Sequence, residues 1–294
     1  MNSVNPIRTG IIFALITAIG LGAITTQAKI FYAGGGNAMT LMLTRFLLST
    51  LVFGLLIAFR QGKFKLDRHQ RLPVFMLGFI WSGSMICYLL SVESISVSLA
   101  VLVLYTYPLL VLVYAVLRRQ VSPSPALISV FCLAFLGLYL ALSSGSVKLD
   151  ITGLLLASLA GLGAAYTFIK GARIAPLLNP LVMTFWVNTI GLAMIVPLVY
   201  TQLSLPTASI GFIALAAATL FYVIAILCQF EALARLPATT AAFILNLEPV
   251  VSIILAAVIL QEHLDGLQWL GVVLVMSVLF IAIRFTVSGS SATR

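Results

Sequence analysis

Ten long apolar runs, separated by short polar or helix-breaking stretches, account for almost the whole chain. They lie near residues 8–27, 38–59, 72–91, 96–117, 125–143, 152–171, 181–200, 209–231, 238–260 and 267–285. Within each run the apolar residues are continuous rather than alternating. That predicts helices and argues against the in–out alternation of a membrane β-barrel. Each run is about as long as the roughly 20 residues a helix needs to cross a bilayer core. Breakers mark the joints: Gly34-Gly35-Gly36 after the first run, Pro123 and Pro125 before the fifth, Ser143-Ser144-Gly145 after it, Asn179-Pro180 at the seventh and Pro237 at the ninth. Several connections are only a handful of residues long, which predicts antiparallel neighbours.

Composition sharpens this picture. Of 294 residues 62% are hydrophobic and 8% charged, against about 25% charged in an ordinary globular domain. Such a chain cannot cover a water-facing surface with polar groups. A soluble enzyme, a disordered chain and a nucleic-acid module are therefore excluded. The expectation is an all-α integral membrane protein of ten transmembrane helices. Cys87, Cys132 and Cys228 all lie within apolar runs and read as small buried hydrophobes.

The net charge of +9 is placed unevenly. With the N-terminus inside, thirteen Lys and Arg residues fall on the inner side, including Arg8, Arg60, Lys63, Lys65, Arg118, Arg119, Arg173 and Arg235. The outer side receives two, Lys29 and Lys148, while Arg45 lies within the second run. This asymmetry predicts both termini in the cytoplasm of a cell whose inner membrane holds the chain. Arg8, an apolar run and Thr26-Gln27-Ala28 resemble a signal peptide, but the run is long for one, and an uncleaved first helix is expected.

The chain also repeats. A shift of 141 lays Gly78–Leu142 over the second half without gaps, matching Cys87 with Cys228, Pro108 with Pro249, Gln120 with Gln261 and Ala141 with Ala282. At a slightly different shift Thr9-Gly10 falls on Thr152-Gly153. The expected division is a first five-helix repeat over 1–145, a second over 146–287 and a disordered tail over 288–294. Five is odd, so the second repeat enters the membrane upside down. Inverted repeats are a common transporter architecture, because two like halves in opposite orientations give two near-equivalent states, one opening inward and one outward.

Candidate chemistry centres on Glu248. It lies about 15 Å into the ninth run, near the membrane midplane, where an ionised carboxylate is costly and normally faces a bundle interior or a water-filled cavity. Such a carboxyl suits proton coupling or solute binding; its plainer reading is a strut between helices. Pro249 and Pro108 each kink a helix and displace the carbonyls of Leu245 and Leu104, which then need water, a solute or a side-chain donor. Asn246 beside Glu248, and Tyr105 and Tyr107 beside Pro108, supply polar groups at the two kinks. Arg45 could receive a solute carboxylate, pair with an acidic residue or snorkel to the outer headgroups. Trp186 and Asn188 in the seventh run, with Trp81, Tyr88 and Gln229, are further candidates for a cavity lining. Each also has an ordinary packing role open to it.

Glu231 and Arg235 are spaced as a gate pair or as a surface pair. Glu262, His263 and Asp265 share one turn but lack a second His, so no metal site is expected. Small residues in the first and sixth runs, among them Gly20, Gly22, Ala160, Gly161 and Ala164, permit close helix packing. No phosphate loop, nucleophile elbow or metalloprotease motif is present. No cofactor is therefore expected.

Leu247-Glu248-Pro249-Val250 with Gln261-Glu262-His263-Leu264 at the end of the same run, a last run holding Gly266 and Gly271, and Thr44-Arg45-Phe46 resemble the drug/metabolite transporter superfamily, and within it the EamA-type permeases. The resemblance covers nearly the whole chain; Gln120-Val121 departs from the family's acidic turn. It implies ten helices in two inverted halves and transport of amino acids or other small metabolites, often outward. The expected function is alternating-access export of an amino acid or related compound, with protons as a possible coupling ion, the bilayer as surroundings and no nucleic acid. A membrane-embedded enzyme or lipid-handling protein is the alternative from another class, and a passive solute channel a third. An enzyme should cluster His, Asp or Glu at one membrane face, and a channel should not saturate.

Overall fold

The computed structural model describes residues 5–60, 62–122, 124–142, 150–200, 202–261 and 263–291, and for 282–291 the backbone alone. The expected joint between the halves at 145/146 lies outside the described residues, as do Pro123, Lys148 and Glu262. Twelve helices are described: α1 Pro6–Ala33, α2 Ala38–Phe59, α3 Arg68–Ser94, α4 Val97–Leu104, α5 Tyr107–Leu117, α6 Pro125–Ala141, α7 Ile151–Ile174, α8 Pro180–Val199, α9 Ser209–Leu233, α10 Ala238–Ile244, α11 Leu247–Ile259 and α12 Gly266–Ser291. No strand occurs among the described residues. Eight helical stretches are long and apolar enough to cross a membrane, counting α4 with α5 and α10 with α11 as single stretches. Pro125–Ala141 and Gly266–Ile281 are two shorter apolar helices. The helix of α12 continues to Ser291, into the stretch expected to be a tail.

Local chemistry explains where the helices begin. Side-chain oxygens of Asn5, Asn37, Ser124, Asp150 and Asn179 each accept a backbone N–H of the first turn, removing donors that a helix start leaves unpaired. Asp265 and Gln268 cap α12 reciprocally at 2.8 and 3.0 Å. Pro6, Pro125 and Pro180 occupy first positions, where a missing N–H costs nothing.

The runs expected over 96–117 and 238–260 are each broken into two helices. The joints are Tyr105-Thr106 and Leu245-Asn246, just before Pro108 and Pro249, whose rings cannot coexist with a regular helical carbonyl four residues earlier. Both broken stretches end alike: Arg119 after α5 has φ 54° and Gln261 after α11 has φ 56°.

Consecutive helices are not the main packing partners, contrary to the expectation from loop length. α1 packs along α9 and α11, α3 along α7 and α8, α2 along α8 and α9, and α6 along α12. The close contacts occur in related pairs. A Cβ on Gly20 of α1 would lie 3.0 Å from the Cβ of Ala225 on α9, and one on Gly163 of α7 would lie 2.8 Å from that of Ser84 on α3. A Cβ on Gly10 would meet Leu236 at 2.7 Å, and one on Gly153 would meet Ile95 at 2.7 Å. In sequence, Gly163 and Gly153 stand 143 residues after Gly20 and Gly10, while Ala225 and Leu236 stand 141 after Ser84 and Ile95. The missing side chains let the helices approach closely. The α1–α2 loop is laced to the α8–α9 loop: Thr207 N–H donates to the Gly34 carbonyl at 3.0 Å, Ser204 N–H to Thr40 Oγ1 at 2.9 Å, and the Asn37 amide to the Gln202 carbonyl.

Candidate functional site

Glu248 stands at the second position of α11, directly after the break. The positive end of a helix favours a carboxylate there. Its own N–H donates to the Leu245 carbonyl at 3.0 Å. The carbonyl that Pro249 displaces is thus satisfied within the chain, which corrects the expectation that it awaits water or solute. At the other break, Thr106 donates through its hydroxyl to the Val103 carbonyl at 2.7 Å, and α7 presses onto the same turn: a Cβ on Gly161 would lie 3.2 Å from the Leu104 oxygen. Gly22 of α1 covers the α11 break in the same way, since a Cβ there would lie 2.6 Å from the Glu248 carbonyl oxygen.

The half-buried Glu248 carboxyl and the Tyr105 hydroxyl lie close to one another across the two breaks. Tyr107 and Tyr88 also lie within its electrostatic reach. Tyr105 and Tyr107 bring their rings to 5.7 Å, and Tyr107 rests on Phe168 at 5.0 Å. Arg45 faces this group from α2 and senses Tyr222, Tyr32, Glu248 and Tyr88. Its guanidinium lies 5.4 Å over the Tyr222 ring, and its Nε–H donates to the Leu41 carbonyl at 3.4 Å. The side chain therefore points into the bundle and does not snorkel to headgroups. Among the described residues no carboxylate lies within salt-bridge distance of Arg45, the ion pair there being Arg235 with Glu231 at the end of α9. Arg45 and Glu248 are thus a basic and an acidic side chain on different helices, near each other and not joined.

Five of the sequence-derived candidates, Glu248, Arg45, Tyr88, Tyr105 and Tyr107, come together. Asn246 is buried at the break itself, its N–H on the Phe243 carbonyl at 3.1 Å. Trp186 does not join them. Its indole N–H donates to the Phe64 carbonyl at 2.8 Å, pinning the α2–α3 loop, and it borders a cavity of about 440 Å³ with Lys65, Arg71 and Ile190. Gln229 lies two turns from Tyr222 on the same face of α9, 1% exposed, and neither of its amide atoms has a hydrogen-bond partner among the described residues. Tyr32 and Tyr222 are members of the cluster that sequence reasoning missed. The available signal was weak: a phenol near the end of one apolar run and another in the middle of a second.

The profile of the EamA-like transporter family matches residues 8–143 and again residues 151–284. The chain belongs to this family. It is accordingly a multi-pass membrane transporter of the drug/metabolite transporter superfamily, with a small-molecule solute. Family resemblance extends to named relatives. The threonine/homoserine exporter RhtA of Salmonella typhimurium (strain SL1344) is 27% identical over 266 residues, 90% of this chain and 87% of that protein. RhtA of Escherichia coli (strain K12) is 26% identical over 268 residues, 90% of this chain and 88% of that one. A solved crystal structure shares the fold with a TM-score of 0.77 at 16% identity, covering 92% of this chain and 96% of its own.

Proposed function

We propose that this chain exports a small zwitterionic amino acid across the inner membrane by alternating access, with both termini cytoplasmic. The observation that carries the reading is the pair Arg45 and Glu248, a basic and an acidic side chain held near one another by different helices without an ion pair. A zwitterion supplies one partner to each. Its carboxylate takes the Arg45 guanidinium, a planar fork suited to two parallel bonds, and its amino group takes the Glu248 carboxylate. Desolvating either charge at membrane depth is costly without such a partner.

Proton coupling follows from the same carboxyl. Glu248 can hold a proton or the solute's ammonium group, not both, so exit of solute and entry of a proton exchange at one atom. Tyr88, Tyr105 and Tyr107 wall this point with surfaces that are apolar on their faces and polar at their tips.

Ten helices in two inverted five-helix repeats, over 1–145 and 146–287, are the architecture we assign. The twofold profile match at 8–143 and 151–284 supports it, as do the paired helix breaks and the paired glycine contacts. Thirteen inner basic residues against two outer ones support the orientation. The named activity of the RhtA relatives supports an amino acid as solute and export as direction.

A solute screen in proteoliposomes tests this, run with and without a pH gradient. Threonine, homoserine and other zwitterions should be carried saturably, while amines lacking a carboxylate and acids lacking an amine should be poor. Equal transport of all three classes would contradict the assignment.

A further inference from the structure

We propose that Asn188 and Tyr222 are positioning residues for Arg45: they fix the plane and height of its guanidinium and so set affinity for the solute's carboxylate. The inference rests on the reading that Arg45 receives that carboxylate.

The chain of contacts runs from α8 through α9 to α2. Asn188 is wholly buried, and its Nδ2–H donates to the Thr184 carbonyl one turn back at 2.8 Å. That bond fixes which side of the amide faces its own helix and turns Oδ1 outward. The Tyr222 hydroxyl donates to this oxygen at 3.1 Å. A buried amide oxygen without such a donor would be costly, so the bond holds the phenol in one orientation. The ring is packed as well: Phe46 meets it in a T-shaped contact, centroids 6.1 Å apart at 87°. With the tip held and the ring packed, Arg45 lies over the ring at 5.4 Å.

α2 contributes both residues on this ring, Arg45 over its face and Phe46 in the T-shaped contact. The Leu41 carbonyl takes the Arg45 Nε–H, and the described residues place no acceptor on the two terminal nitrogens. Those are the nitrogens a carboxylate would use. A guanidinium stacked on an aromatic face keeps its in-plane donors free, because the ring attracts the cation through its face. An aliphatic side chain at 222 would fill space without fixing that plane.

Two readouts separate positioning from mere packing. In protein labelled with ¹⁵N-arginine, the side-chain resonance lost in Arg45→Gln is that of Arg45. It should move toward the exposed arginines in Tyr222→Leu, and keep its position but broaden in Tyr222→Phe, which keeps the ring and loses the Asn188 bond. In proteoliposomes, the L-threonine concentration giving half-maximal uptake should rise about fivefold to tenfold in Tyr222→Leu, the range of one desolvated cation–aromatic contact. The maximal rate per folded molecule should change little. Asn188→Leu keeps the ring but frees its tip; it serves if Tyr222→Leu does not fold, and should broaden the Arg45 resonance and raise half-saturation about threefold.

An unmoved Arg45 resonance in Tyr222→Leu, or an unbroadened one in Asn188→Leu where that variant stands in, would overturn the proposal. So would a fall in maximal rate with half-saturation unchanged. Wild-type protein that does not carry threonine, or Arg45→Gln that saturates normally, would instead overturn the carboxylate reading, and the resonance would still decide the positioning role.

Discussion

The Thr17 hydroxyl on α1 donates to the Ala225 carbonyl on α9 at 3.2 Å. A counterpart bond joins α3 and α7, where the Ser84 hydroxyl donates to the Ala160 carbonyl at 2.6 Å. The four positions are related by the same offsets as the glycine contacts, Thr17 to Ala160 and Ser84 to Ala225. Donor and acceptor have changed places, yet the pair of backbones is tied at the same level. Two helix seams of one design, each joining the first half of the sequence to the second, are what an alternating-access machine would slide or rock along.

Those seams should be intolerant of bulk. Gly163→Leu places a branched side chain where even a Cβ would lie 2.8 Å from Ser84, and should cost about 1–3 kcal/mol through overpacking. Gly266→Ala, at a site with nothing within 4 Å of the added Cβ, should be neutral or slightly stabilising. Thermal unfolding of the detergent-solubilised variants compares the two. Equal midpoints would show that the α3–α7 seam is loosely packed.

Gly22 probes the coupling of the seam to the site. An added Cβ would press on the Glu248 carbonyl from 2.6 Å, displacing the α11 break. Gly22→Ala should therefore reduce transport at least tenfold, since small displacements of positioned groups carry large effects. The same protein should retain most of its helicity by circular dichroism. Unimpaired uptake would mean that α1 does not fix the position of Glu248.

Glu248→Gln should fold, because the amide preserves size and remains polar beside Tyr105. Gradient-driven export and solute exchange should both fall at least tenfold, the loss of one charge-assisted bond at a buried site. Loss of driven export with exchange intact would make Glu248 a proton carrier that never touches solute. Survival of both with a stability loss of about 1–3 kcal/mol would make it a strut.

Orientation is checked with single cysteines in protein lacking Cys87, Cys132 and Cys228. Ala208→Cys, exposed beside the laced loops, should react with an impermeant thiol reagent added outside intact cells. Lys63→Cys, exposed in the α2–α3 connection, should react only once the membrane is opened. The reverse pattern would invert the assigned topology.

Much of this was legible in residues alone, for reasons particular to membranes. Continuous apolar runs and their breakers mark helices because bilayer thickness dictates length. Pro108 and Pro249 mark the breaks because a proline ring leaves the backbone little choice. Glu248 and Arg45 stand out because charge at membrane depth is expensive. Facing directions were not legible. Helices apolar on every side carry no stripe to say which neighbour each will meet, so the packing of α1 on α9 could not be read. For the same reason Tyr222 and Tyr32 were indistinguishable from interface phenols, and Trp186 could not be placed beside the α2–α3 loop, away from Glu248.

Exchange of labelled L-threonine into proteoliposomes preloaded with unlabelled L-threonine tests the central claim most directly. The wild-type protein should drive a transient accumulation of label above equilibrium, saturating with concentration, and the Arg45→Gln/Glu248→Gln double variant should abolish it. Unsaturable leakage alike in both proteins, or accumulation that survives the double substitution, would contradict a carrier built around Arg45 and Glu248.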